Sequence, residues 1–441
     1  MSGLKFEHGW EDPAGAEGAE YRATWGSLTV RVNDWPVSKY YDQEVRSVST
    51  RLYLPLYPVA EWMVENWWSI LHEVENGHNL SDPEYPVRHD LNRATGAFAL
   101  PPLRFSSLGE AIELRWRRAE LPSKRVEFLS YGKAILDLQQ VEDELTRFIS
   151  IVIERLHSFE VKNTPLQQDW AAIQALDEDE RAFCKAAALA GMDPFAISKA
   201  DVRRLEEAAK LLPEHLLEDL LAILRTDEFS KARKELDALD QLTQTNAAPQ
   251  RRLARLRGSL SHGSGPVPYR VGYARAGEVR EALGLNGDLL ATTDRFMEAV
   301  KLQAQGGVQG HRFQLTELEG YLGYAGKDNA CFVLGSETDS PRGRFKLARC
   351  LHDFLYGSPG TAQVVTKADS FQQRVNRSFA AELLAPGRVL AKRVRKPFVV
   401  PSELEDLAVE FGVSSWLIKH QLENHKIAKV HSGYDDGDGF Y

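Results

Sequence analysis

The stretch from Leu166 to Leu260 sets the organisation of this chain, because its apolar residues recur at helical spacing and no strand pattern interrupts them. Gly191, Pro194 and Pro213 punctuate it, and Ala-rich and Glu/Lys/Arg-rich turns fill it. A helical block of that length splits the 441 residues, which are in any case too many for one ordinary hydrophobic core. The expected division is an α+β domain over residues 1–160, a helical connecting region over 161–262, a mainly helical domain with a small sheet over 263–430, and an acidic, disordered tail over 431–441. The fold class expected for the whole is α+β.

In the first domain Leu28, Val30 and Val32 alternate with polar residues, and the Asn33-Asp34 pair offers a turn, which predicts a hairpin. Leu52 to Leu56 predicts another strand, running into Pro58. From Ala60 to Val74 the residues Met63, Val64, Trp67, Leu71 and Val74 form one helical stripe, so an amphipathic helix follows. Strand-like pieces over 97–103, 111–116 and 125–130 precede a long helix over about 136–156. Tryptophan is concentrated here, at Trp25, Trp35, Trp62, Trp67, Trp68 and Trp116. Large aromatics dominate cores, and Trp67 on the stripe is expected inside. Trp62 and Trp68 fit the stripe less well and are the candidates for a partner surface.

His72, Glu73 and His78, in HEVENGH, are superficially similar to a zinc motif. The histidines are six apart and Gly77 would end the helix between them, whereas convergence on one ion needs i, i+4 spacing. Arg88, His89 and Asp90 are polar residues whose spacing does not demand catalysis.

The net charge of −9 repels polyanions on average, so a nucleic-acid contact would need a local basic patch. Cys184, Cys331 and Cys350 are far apart and form no CxxC pair, which fits neither a disulfide framework nor a thiolate zinc site and points to a reducing cytoplasm. No run of about 18 apolar residues occurs, and the N-terminus lacks a basic region followed by an apolar run, so neither a membrane span nor export is expected. Arg251, Arg252, Arg255 and Arg257 give a basic helix end, read first as a solvated face and second as a phosphate contact.

Beyond a flexible boundary at Ser261 to Pro268 the chain reads GYARAGEVREALGL, a strand-like NACFVLG, RFKLARCLHDFLYG, SFQQRVNRSFAAELLAPGRVL and VPSELEDLAVEFGVSSWLIKHQLENHKI. This order resembles the ImmA/IrrE family of intracellular zinc metallopeptidases over roughly residues 266–430, about two fifths of the chain. Its most specific piece is FAAELLAP at 379–386, followed by the helix pair around Phe411, Gly412, Val413 and Ser414.

Active members of that family carry an HExxH motif, in which two histidines one turn apart bind zinc and the glutamate activates water. Arg344, Phe345, Leu347, Ala348 and Leu351 fit the surrounding pattern. The chemical positions differ: Arg349 stands for the first histidine, Cys350 for the glutamate, Asp353 for the second histidine, and Gln373, or Arg374 if the register is shifted by one, for the third ligand, a glutamate. The resemblance thus implies a degenerate domain without catalytic residues, metal or cofactor. Cys350 and His352 lie roughly 200° apart around the helix and cannot converge on an ion, nor can His352 serve Cys350 as a base. Cys350 is read as a small buried residue. Arg349 and Asp353, at i, i+4, are expected to pair, an interaction of about 0.2–0.5 kcal/mol on an exposed helix.

The last helices also resemble a helix-turn-helix, with Leu404, Leu407 and Ala408, a turn at Gly412, then Ile418 and Leu422, and with Ser402 and Glu405 expected as a capping box. Arg388, Lys392, Arg393, Arg395 and Lys396 just upstream, with Lys419, make a candidate nucleic-acid patch. Asp435, Asp436 and Asp438 in the tail fail the spacing of a calcium loop. The leading expectation is a non-catalytic bacterial or phage regulator that uses a pseudo-metallopeptidase domain as a protein-binding scaffold, in stress response, mobile-element control or phage defence. A DNA-binding transcriptional regulator is the alternative. An enzyme comes third, either a peptidase of this type with unconventional chemistry or one with its site in the first domain.

Overall fold

The computed structural model of the chain describes residues 3–430 apart from 14–16, 77, 78, 80, 81, 122, 124, 226, 262, 304–306, 336 and 337. Gly77 and His78 of HEVENGH, and the acidic tail, lie outside the described residues. The fold is α+β. No helix among the described residues is long and apolar enough to cross a membrane. Two compact units form: one from the chain up to Glu207 with 220–226 and 368–371, the other from 208–219, 227–367 and 372 onward. The helices Pro165–Ala175 and Glu178–Leu189 belong to the first unit, and Phe229–Asn246 and Arg251–Arg257 to the second.

In the first unit β1 (Leu4–Trp10) and β2 (Trp25–Val32) pair antiparallel with Phe6 opposite Val30. The hairpin forms at the expected place: Asn33 takes φ 53, and β2 returns as β3 (Trp35–Pro36). A fourth strand, β4 (Leu52–Pro55), borders β2 on its other half. The helix expected over 60–74 is two helices, α1 (Tyr57–Glu65) and α2 (Trp67–His72), because Asn66 leaves helical geometry at φ −108, ψ 17. That break resets the helical phase, so Trp68 turns inward together with Trp67. Trp62 is also inside, with its indole N–H donating to the Val87 carbonyl at 2.9 Å. The expected partner surface is therefore core, with Trp62 4% and Trp68 6% exposed.

The strand expected over 97–103 begins only at Leu103, since Pro101 and Pro102 have no N–H to give a ladder. Strands β5 (Leu103–Ser107), β6 (Ala111–Trp116) and β7 (Gly132–Asp137) form one antiparallel sheet in the order β7-β6-β5. Asp137 then caps α3 (Leu138–Ser158), accepting from the Gln139 and Gln140 amides. Val141, Leu145, Phe148, Val152 and Leu156 on α3 enter the core, and Phe148 packs on Phe6 with ring centroids 5.1 Å apart.

The second unit includes α4 (Glu214–Leu221) up to Asp219, then α5 (Pro268–Ala282), and is built around β8 (Leu318–Tyr324) and β9 (Asn329–Gly335). The run ACFVL in β9 is buried on both faces. It pairs antiparallel with β8, and Val308–His311 lies parallel to it on the other side. The helix α6 (Pro341–Tyr356) packs on this sheet, starting where Ser340 Oγ accepts from the Gly343 amide at 2.9 Å. Beyond α6 come β10 (Gln363–Thr366), paired with β8, and α7 (Phe371–Leu384). Every residue of α6 from Leu347 to Leu355 is buried, so its polar side chains must find partners inside the protein.

Helices α8 (Pro401–Phe411) and α9 (Ser415–Asn424) close the unit, with Gly412 left-handed at φ 64 between them. The start of α8 differs from the expected Ser402/Glu405 box: Pro401 opens the helix, and Glu403 reaches back to the Val400 amide at 3.3 Å. Glu382 of α7, in FAAELLAP, accepts from Gln421 (2.8 Å) and His425 (2.7 Å), tying α7 to α9.

Gly320 of β8 lies against α6, where an added Cβ would come within 2.9 Å of Cys350 Sγ and 3.3 Å of Val365 Cβ. Gly320→Ala should lower stability by about 1–3 kcal/mol through overpacking, and adding Cys350→Ala should restore part of it. Urea unfolding midpoints of both variants check this. An unchanged midpoint for Gly320→Ala would contradict the seating of α6.

Candidate functional site

Arg349 is the largest fully buried side chain among the described residues, 1% exposed in the middle of α6. A guanidinium carries five N–H donors and cannot lose its charge in practice, so burial requires several acceptors in its plane. The neighbouring elements supply them. Nε donates to Asn376 Oδ1 at 3.0 Å, Nη1 to Glu319 Oε2 at 2.5 Å, and Nη2 to both the Thr366 carbonyl and Gln373 Oε1 at 2.7 Å. Burial pulls the Arg349 pKa down, and the charges of Glu319 and Asp353 oppose that shift.

The partner of Arg349 is therefore Glu319 of β8, and the Arg349–Asp353 pair expected from helical spacing does not form. An i, i+4 carboxylate offers one contact along the helix, while the buried fork needs acceptors across the sheet. Glu319 also draws Lys346 at 3.7 Å and Arg342 at 3.8 Å. Asp353 accepts instead from its neighbour, His352 Nδ1 at 3.1 Å, and from Gln372 Nε2 at 3.2 Å. His352 Nε2 faces Arg275 Nη1 at 3.0 Å. That donor places the imidazole proton on Nδ1, and burial lowers the pKa of the ring against the pull of Asp353.

Of the positions singled out by the resemblance, Arg349 and Gln373 are in direct contact, Asp353 is joined through Asn376 Nδ2 at 3.5 Å, and Cys350 faces the sheet. Gln373 is fully engaged: its Oε1 also accepts from the Thr366 amide at 3.0 Å, and its Nε2 donates to the Val364 carbonyl at 3.0 Å. Burial raises the Cys350 thiol well above its usual range, and the Asp353 charge adds to this, so the group is an inert, small core residue as expected. Among the described residues no group of three or more His, Cys, Asp and Glu side chains is placed to hold a metal ion.

Three participants were not singled out from the sequence. Asn376 lies one turn beyond Gln373 on α7, a spacing that could have been read. Glu319 is 30 residues from Arg349 in another element, and nothing local announces it. Asp219 on α4 senses Asp353 and hydrogen-bonds with Gln373; burial first, then the Asp353 charge, push its carboxyl up to about 6.

The basic run sits on the helix Gly387–Arg393 and the segment after it. Arg393 pairs with Glu410 at 2.7 Å and Lys396 with Glu403 at 3.2 Å. Arg388, Lys392 and Arg395 are exposed, whereas Lys419 is half-buried. Instead of a basic face, α9 presents Trp416, 63% exposed, with its ring tilted against that of His420. Arg251, Arg252 and Arg255 are exposed along a groove that Lys301 also lines, and Arg257 is withdrawn from it, paired with Asp328 at 2.9 Å.

In the first unit Arg88 and His89 do come together, on Glu73. Its carboxylate accepts Arg88 Nε (3.0 Å), Arg88 Nη2 (2.8 Å) and His89 Nε2 (3.0 Å). Burial alone would raise the Glu73 pKa, but these donors outweigh it and hold the carboxyl at about 2. His89 Nδ1 is occupied by the Phe105 carbonyl at 3.0 Å, and Asp90 turns away to a two-point pair with Arg104. These donors and acceptors satisfy one another, which describes a structural ion network rather than a poised acid or base.

No protein-family model matches the chain, and no curated protein matches its sequence.

Removing the guanidinium leaves Glu319 with only its longer pairs to Lys346 and Arg342 and takes a buried donor from Asn376, Gln373 and the Thr366 carbonyl. Arg349→Leu should therefore destabilise the protein by about 3–5 kcal/mol, and Arg349→Lys should recover little because an ammonium cannot fork; chemical denaturation distinguishes them. Asp219 predicts a pH effect of defined sign. Its folded pKa of about 6 exceeds the ordinary 3.8, so the folded state holds the extra proton between those values and stability falls as pH rises through that window. Asp219→Asn should flatten the thermal stability profile between about pH 4 and 6 and raise the melting temperature at pH 7. An unaltered profile would mean that Asp219 is not held beside Asp353.

Proposed function

We propose that residues 266–430 form a degenerate ImmA/IrrE-type domain, retained without zinc chemistry as a protein-binding scaffold in a bacterial or phage regulatory protein. The observation that carries this reading is the guanidinium of Arg349, hydrogen-bonded to Gln373, so that two positions which hold metal in the family are bound to each other. A permanent cation at that place repels a metal ion, and Gln373 has no uncommitted oxygen to offer one. The apolar frame of the helix, with Leu347, Ala348, Leu351 and Leu355, is buried as packing requires. A cytoplasmic setting, a protein partner, and a role in stress response, mobile-element control or phage defence rest on the resemblance and belong to the same proposal.

Metal analysis of the purified protein tests the loss of chemistry: no stoichiometric zinc is expected, and one tightly bound zinc per chain overturns the reading. The family frame has its own test. The quadruple variant Arg349→His, Cys350→Glu, Asp353→His, Gln373→Glu should bind zinc stoichiometrically, and a folded variant that binds none would refute the alignment of these positions with the family's ligands.

A further inference from the structure

Arg280, Arg344 and Arg349 of the second unit are all nearly devoid of solvent, at 5%, 3% and 1% exposure. Two of them are well supplied with acceptors. Arg280 donates to the carbonyls of Leu383 (2.6 Å), Leu285 (2.5 Å) and Asp288 (2.7 Å), and Arg349 has Glu319 and three further acceptors. Arg344 is different. Its Nη2 donates to the Gly412 carbonyl, Nη1 makes a long contact of 3.4 Å to Thr293 Oγ1, and Nε, although shut off from solvent, has no partner. No described carboxylate lies within ion-pair distance; Asp339, exposed, acts on Arg344 only through space. A buried cation without an anion is costly, and such a group calls for a missing partner.

Arg344 lines an open pocket of about 380 Å³, near the lower end of the range for ligand sites of about 300–1,000 Å³. The pocket opens at the N-terminus of α6, a helix of 16 residues whose dipole favours negative charge there. Thr292 and Ser340 bring hydroxyls to it, and the rest of its wall is largely apolar, from Ala291, Pro341, Ala408, Val409 and Val413. Gly412 permits the arrangement: at φ 64, a Cβ in its place would collide with the Ala291 carbonyl and come within 2.7 Å of Arg344 Nη2.

We propose that this pocket binds the C-terminal residue of a partner polypeptide, with its carboxylate on Arg344 and its apolar side chain against Ala408, Val409 and Val413. A single negative charge attached to an apolar group matches one buried guanidinium in an apolar wall. A small polyanion matches less well, because Asp339 at the exposed rim repels its additional charges and the apolar wall leaves them unmet. The size suits one residue, and the open mouth lets the preceding chain leave. This inference rests on the reading of the second unit as a binding scaffold and names what that scaffold holds.

The test uses the full-length protein and three probes: the peptide acetyl-Gly-Gly-Leu with a free carboxylate, the same peptide as its C-terminal amide, and inorganic phosphate. Titration followed by NMR should show saturable binding of the acid, with the amide and phosphate each weaker by about tenfold or more. Val409→Glu sits at a position 81% exposed, so it should fold normally, and it should weaken binding of the acid by about tenfold through repulsion. Arg344→Met should abolish it. Equal affinity for acid and amide, phosphate binding as tightly as the acid, insensitivity to Val409→Glu, or no saturable binding of the acid would each overturn the proposal. Zinc analysis of the same sample keeps the two readings apart: a zinc-free protein that ignores the peptide refutes this pocket and not the loss of metal chemistry.

Discussion

The guanidinium of Arg349 is the constraint on which the second unit depends. It joins α6 to β8 through Glu319, to β10 through the Thr366 carbonyl, and to α7 through Gln373 and Asn376. A buried ion pair adds little net stability over apolar residues of the same shape, but it is unforgiving of displacement, since any shift strands a charge inside the protein. Its effect is thus on registry. It fixes how far α6 can slide over the sheet and how α7 approaches it, and it holds Gln373 with both ends of its amide engaged.

The same solution recurs in the first unit with the signs exchanged. There the buried group at the centre is the carboxylate of Glu73, and Arg88 and His89 converge on it. In both cases the polar residues look chemically active in isolation and are closed off by one another. Arg344 stands apart from these networks because its set of partners is incomplete, and Asp219 stands apart because its charge is opposed by a neighbour instead of balanced by one. Saturated networks hold structure in place; unsaturated ones leave free energy available to a ligand or to a proton.

Much of the architecture was legible in the sequence. The Asn33 turn, the long helix after Asp137, the buried run in β9 and the helix pair separated by Gly412 all appear where periodicity and turn chemistry put them. Two of the readings that failed did so where the chain departs from regular geometry. Trp68 moved from the polar to the apolar side because Asn66 interrupts the helix, and a stripe drawn across an interruption assigns the wrong face beyond it. The first strand of its sheet shifted because Pro101 and Pro102 cannot pair. The Arg349–Asp353 pair failed for another reason: helical spacing ranks partners on an exposed surface, and Arg349 is not on one.

By itself, then, the sequence determined which polar residues α6 and α7 carry, and that the permanently charged guanidinium of Arg349 cannot act as a metal ligand. Those are properties of side-chain chemistry and hold in any conformation. Only the tertiary structure decided what these residues do instead. Glu319, Thr366 and Asp219 reach the site from distant segments, and burial is what turns proximity into a requirement, because a charge withdrawn from water must be met by whatever the fold brings beside it. The same reason separates Arg280 from Arg344, two arginines that no local pattern distinguishes until the packing shows that one has its acceptors and the other lacks them.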